Sequence, residues 1–169
     1  MISSVEFMSL KYSLKIIGFG FIILILGCAS PLNLPTPEKI GQKERVRVIT
    51  GKQAARVVDK LHGQTVATDA NVIAEYGRDQ KDFLYISYYT DRRDAQKSFE
   101  LMIEKMAAAK GGPFFHLMPI GQYDKKVYMS LGMGAVHYIY RSGNSLLWLQ
   151  SFQSFGTALP PRLLELYPV

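Results

Sequence analysis

The sequence predicts an α+β domain: a largely antiparallel sheet of about six to seven strands, two main helices and a short C-terminal helix. Three observations predict it. Two stretches, 51–62 and 92–109, carry apolar residues at helical spacing. Beyond Gly112 the chain reads as strand and turn until its last few residues. Successive strands are joined by short polar links, which suit hairpins rather than crossovers. The expected order is β-α-β-β-α-β-β-β-β-α. Neighbouring strands should therefore pair, with the helices packed on one face.

Taken in order, Val46-Arg47-Val48-Ile49 opens the folded part as a strand. Thr50 stands as a helix N-cap, with Gln53 completing a capping box. Ala54, Val57, Val58 and Leu61 form the apolar stripe of the first helix, and Gly63 is suited to end it. Ala70–Tyr76 and Phe83–Tyr89 read as strands joined by the polar link Gly77–Asp82. Asp91 caps the second helix, and Asp94 in its first turn suits the helix dipole. Ala95, Phe99, Met102, Ile103 and Met106 line one face, and Gly111-Gly112-Pro113 stops it. Strands follow at 114–118, 125–131, 135–141 and 145–152, the last two joined by Gly143-Asn144, a type II′ signal. Pro160-Pro161 opens a short helix to about Tyr167.

Motifs for catalysis are missing. Gly51-Lys52-Gln53 lacks the upstream glycine and following hydroxyl of a phosphate loop. Gly132-Met133-Gly134 reads as a tight turn. His62, His116 and His137 are far apart, with no helical zinc spacing, so no metal or other cofactor is expected. Asp79, Asp82, Asp91 and Asp94 fall where turns and helix starts place them. Ser87 and Ser130 have no nucleophile context. There is no nucleic-acid motif.

One constellation stands out. A two-residue turn at Gly143-Asn144 sets Arg141 opposite Leu146, Ile139 opposite Trp148 and His137 opposite Gln150. These six share one sheet face, because side chains alternate along a strand. Tyr138, Tyr140, Leu147 and Leu149 take the other, which is the cleaner core. His137, Arg141, Trp148 and Gln150 are the candidate ligand-binding residues, since an aromatic, a cation, an imidazole and an amide together suit a binding surface. Tyr85, Ser87 and Tyr89 likewise share a face, as either exposed stackers or packed edges.

The N-terminus carries the clearest signal. Lys11 and Lys15 precede an apolar run from Ile16 to Leu26, and Ile25-Leu26-Gly27-Cys28 follows. The run is short of the roughly 20 residues a spanning helix needs. Gly18 and Gly20 weaken it further as a helix. A basic start, a short apolar segment and a small residue before the cut mark a signal peptide. Met8 is an in-frame alternative to Met1 as the start. Residues 8–28 resemble the signal of bacterial lipoproteins, with a lipobox ending at Cys28. The resemblance implies that residues 1–27 are cleaved and that Cys28 carries diacylglycerol and an N-terminal acyl chain such as palmitate. Ala29, in place of aspartate, then implies the outer membrane, periplasmic side.

Cys28 is the only cysteine, so once it is lipidated no thiol is left for a disulfide, a metal or catalysis. Removing residues 1–27 takes away two lysines and one glutamate, lowering the formal charge from +6 to +5. The excess is spread along the chain, as on a solvated surface. Pro31, Pro35 and Pro37 make residues 28–42 a proline-rich tether. Residues 43–169 then form a single domain. The expectation is a lipid-anchored cell-envelope protein with a small non-catalytic binding or assembly domain, meeting an envelope protein or a small ligand. An envelope enzyme with a dispersed active site around His137, or a structural subunit lending a sheet edge, are the alternatives.

Overall fold

Alternation sorts this chain's strand side chains into two sets, and each set meets a different cover. The computed structural model describes residues 33–62, 68–109, 111–124 and 126–169. Its strands are β1 (Lys39–Ile40), β2 (Lys43–Thr50), β3 (Ala70–Tyr76), β4 (Asp82–Tyr88), β5 (Phe114–Pro119), β6 (Val127–Gly132), β7 (Ala135–Ser142) and β8 (Ser145–Ser151). Helix α1 (Gly51–His62) follows β2, α2 (Arg92–Ala108) follows β4, and α3 (Pro161–Leu166) ends the chain. All eight strands join one sheet in the order β1-β2-β3-β4-β8-β7-β6-β5, with every pairing antiparallel. No helix among the described residues is long and apolar enough to cross a membrane.

The α+β class, the antiparallel sheet and the helices follow the expectation, but there are eight strands rather than six or seven. The added one is β1, whose two residues are too few to show alternation. The turns obey local chemistry. Ser142 faces Ser145, so Gly143-Asn144 is a two-residue turn, and Gly143 alone of the pair has positive φ (54°), as a II′ turn requires. Asp91 caps α2 by accepting from the Arg93 N–H at 2.7 Å. Thr50, by contrast, ends strand β2, paired with Val72, and α1 begins at once with Gly51. The expected stop at Gly63 lies outside the described residues.

One face carries the main core. Val72, Ala74, Tyr76, Leu84, Ile86, Tyr138, Tyr140, Leu147 and Leu149 are all buried there. Its cover comes from the two ends of the described chain. Ile40 is buried at one end, and Leu159, Leu163 and Tyr167 at the other. The tyrosine hydroxyls tie these pieces down. Tyr76 donates to the Pro37 carbonyl (3.0 Å) and Tyr167 to that of Pro35 (2.9 Å). Tyr138 accepts from the Phe155 N–H (2.8 Å), and Tyr123 from that of Leu159 (2.9 Å). Burial pushes the Tyr167 phenol up to about 12.

Two expectations are corrected. The prolines predict a tether over residues 28–42, with the domain beginning at residue 43. Instead the stretch from Leu34 to Ile40 packs on the core, because extended prolines leave carbonyls free to accept from buried tyrosines. The helices also do not share a face. α3 covers the tyrosine core, while α1 and α2 lie over the opposite side. The tyrosine face was filled by the chain's ends, which have too little periodicity to be assigned a side.

Candidate functional site

On the second face the strands set side chains in rows. The first row runs Arg47, Glu75, Phe83, Gln150, His137, Ser130, and the second Ile49, Ile73, Tyr85, Trp148, Ile139, Tyr128. A third holds Asn71, Ser87, Leu146 and Arg141. His137 thus faces Gln150, Ile139 faces Trp148 and Arg141 faces Leu146, the register expected from the turn.

The two helices cover this face unevenly. Ala54 and Val58 of α1 seal Ile49 and Ile73, with Val57, Phe83 and Tyr85 alongside. Ala95 of α2 seals Tyr89 and Leu146, and the Phe99 ring meets Tyr128 at 5.9 Å. From the edge of the α1 cluster toward the α2 cluster, β4 and β8 present Phe83, Tyr85, Ser87, Trp148 and Gln150, each half-buried. The Phe83 and Tyr85 rings stack at 6.2 Å, Tyr85 sits opposite Trp148, and Phe83 sits opposite Gln150. The result is a strip of three aromatic rings with an amide and a hydroxyl. Burial, helped by the Glu75 charge, keeps the Tyr85 phenol protonated to higher pH than usual.

At one border of the strip lies an aromatic knot around a buried imidazole. His137 is 1 % exposed. Its Nε2–H donates to the Gly132 carbonyl (3.0 Å), and its Nδ1 accepts from the Trp148 indole N–H (2.9 Å). Phe114 stands edge-on to both rings, 4.9 Å from the imidazole and 5.2 Å from the indole. Gly132 lets the strands close around this knot, since a Cβ there would lie 2.4 Å from the Pro113 carbonyl oxygen. With both ring nitrogens engaged and no water access, the imidazole is held neutral, its proton on Nε2. Burial holds its pKa below the ordinary 6.5, against the opposing pull of the Gly132 carbonyl.

The four candidate residues thus divide. Trp148 and Gln150 lie in the open strip. His137 lies beneath its border. Arg141 folds back to donate to the Gly143 carbonyl and stays at the hairpin end. Tyr89 is buried against α2, whereas Tyr85 is half-open. Cys28 lies outside the described residues. His62 caps α1 against the Val58 carbonyl (2.8 Å), and His116 sits exposed at a bulge in β5 with φ 54°. Among the described residues no three His, Cys, Asp or Glu side chains gather.

Sequence reading missed Asp82. Placed in a turn by its neighbours, it is the first residue of β4 and fully buried. Lys43 lies 2.7 Å away, Ser151 Oγ donates to it at 2.7 Å and the Phe152 N–H at 3.0 Å. The carboxylate is fully paired and pins β2, β4 and the end of β8 together, a structural duty. Only the distant Lys43 and Ser151 could have signalled it, and nothing local links them. Two shallow hollows flank the sheet beyond β7, one of about 260 Å³ beside Phe115 and Phe152, the other of about 160 Å³ beneath Met106 and Phe114. Neither gathers a set of polar groups. Compared with protein-family models, curated proteins and solved structures, the chain matches none.

Proposed function

We propose that this chain is a bacterial lipoprotein of the cell envelope, held through Cys28, whose domain is a non-catalytic binding module. Its ligand side is the strip of β4 and β8 between α1 and α2. The observation that carries the binding reading is the half-covered cluster of Phe83, Tyr85 and Trp148 on adjacent strands. Aromatic rings left part-open between two helix-sealed clusters offer flat apolar area, and Gln150 and Ser87 beside them supply directional polarity. An enzyme centred on His137 is the weaker reading. A general base must reach a substrate proton, and both imidazole nitrogens are already engaged inside the domain. The assembly reading has one observation of its own. Val46 and Val48 of β2 are exposed, and beyond Arg45 that strand pairs with no strand among the described residues except β3.

The anchor is tested by palmitate labelling: Cys28→Ser should abolish it and leave the precursor uncut. Membrane-extracted protein that retains residues 1–27 would refute the lipoprotein reading. The binding module is tested by a thermal-shift screen of the full chain against envelope metabolites and glycan fragments. A binder should raise the melting temperature and move the Trp148 emission, and Tyr85→Ala should remove both effects with the fold intact. If no compound acts, and a protein co-purifies that is lost on Val48→Lys, the domain is an assembly subunit instead.

A further inference from the structure

Trp148 and His137 are linked by one hydrogen bond, and the chemistry of that bond is conditional. The indole N–H can only donate, so the imidazole Nδ1 that receives it must be unprotonated. Nε2 already donates to the Gly132 carbonyl. A proton taken up by His137 therefore has one place to go, Nδ1, where it would point at the indole N–H 2.9 Å away. The donor would then face a donor.

Beyond the Gly132 carbonyl, the surroundings offer the cation no compensation. Ser130 faces His137 from β6, Gln150 and Trp148 from β8, and Phe114 from β5. None carries charge, and the Ser130 hydroxyl is turned to the Phe115 carbonyl (2.9 Å). Along its row the first charged residue is Glu75, beyond Gln150 and Phe83, and it is already paired with Arg47 and Lys81. On the helix side Lys105 of α2 shares the hollow with Phe114, and a lysine adds repulsion rather than relief. Trp148 is half-buried, so it has solvent to move toward once its bond is broken.

We propose that His137 and Trp148 form a pH-sensitive latch on the border of the strip: a proton on Nδ1 breaks the indole bond and frees Trp148 toward the open side. The latch stands on this geometry alone and does not depend on a ligand for the strip. Its sign is fixed. The folded state holds the imidazole below 6.5, so the unfolded chain takes the proton first as pH falls. The stability owed to neutral His137 is complete above that value and is lost as pH falls through the folded-state pKa.

The test follows the emission of the single tryptophan and the far-ultraviolet circular dichroism of the full chain from pH 8 downward. The latch predicts a reversible shift to longer wavelength with its midpoint below 6.5, while the circular dichroism holds, and loss of that step in His137→Gln. The same step in His137→Gln, or an emission change that only tracks unfolding, would overturn it. Should His137→Gln fail to fold, the imidazole resonances of the native protein decide. A neutral ring protonated on Nε2 that titrates below 6.5 together with the indole N–H upholds the latch. A ring protonated on Nδ1 at neutral pH, or one titrating at or above 6.5, refutes it.

Discussion

The two faces of this sheet are made by the same strands and alternate residues, yet they are finished differently. The tyrosine face is closed by pieces from the chain's ends, and Tyr76, Tyr138 and Tyr167 all find backbone partners there. The helix face is sealed at two places and left half-open between them. α2 shows the difference plainly: of its apolar stripe only Ala95 is buried, while Phe99, Met102, Ile103 and Met106 are half-covered. A strand's alternation decides which residues share a face. It says nothing of how completely that face will be covered, and the covering is what separates a core from a binding surface.

The largest test of this contrast is Asp82→Ala. On the closed side the substitution strands Lys43, Ser151 and the Phe152 N–H without their common partner. Breaking a buried pair by removing one member costs about 3–5 kcal/mol. Urea unfolding should show a loss of that order, and a loss below about 1 kcal/mol would mean that the clamp is as forgiving as a surface pair.

Phe99→Ala probes the half-open side. A fully buried phenylalanine costs about 3–5 kcal/mol when truncated, and a half-covered one should cost about 2 kcal/mol. A full-core penalty, measured the same way, would mean that α2 seals its face after all and that the strip is narrower than described.

The smallest effect separates two neighbours on the closed face. Tyr140 is fully buried, and its hydroxyl has no partner among the described residues, whereas the Tyr138 hydroxyl both donates and accepts. Tyr138→Phe should cost about 1–2 kcal/mol, and Tyr140→Phe about zero or slightly less than zero, since it removes an unpaired polar atom. Thermal melts of the two variants, compared side by side, check the difference in sign. Equal losses would show that the Tyr140 hydroxyl is engaged.

Much of the fold was legible because its signals are local. Helix α1 occupies the expected residues, the strands fall within a few residues of their expected bounds, and the Gly143-Asn144 turn fixed the facing of His137 and Gln150. What was hidden depends on contacts between distant residues. Ile40 and Pro37 gave no periodic sign that they would dock. Asp82 became buried only through Lys43 and Ser151, far away in the chain. Trp148 lies on the expected face, but only the fold shows that its indole N–H is taken up by His137, 2.9 Å away. Tyr85 and Tyr89 could not be told apart, because only the path of α2 decides which of them is covered.

The bond from Tyr167 to the Pro35 carbonyl spans 132 residues, and it has a consequence in time. The two lids of the tyrosine core come from opposite ends of the described residues, so Leu34–Ile40 must wait for Leu159–Tyr167. The central pairing of β4 with β8 joins residues about as far apart as Tyr88 and Ser145. Such long-range closures must overcome their loop entropy before any contact rewards them, which makes for slow folding. Among the described residues, the tyrosine core is therefore sealed only when α3 docks on strands that were laid down well before it.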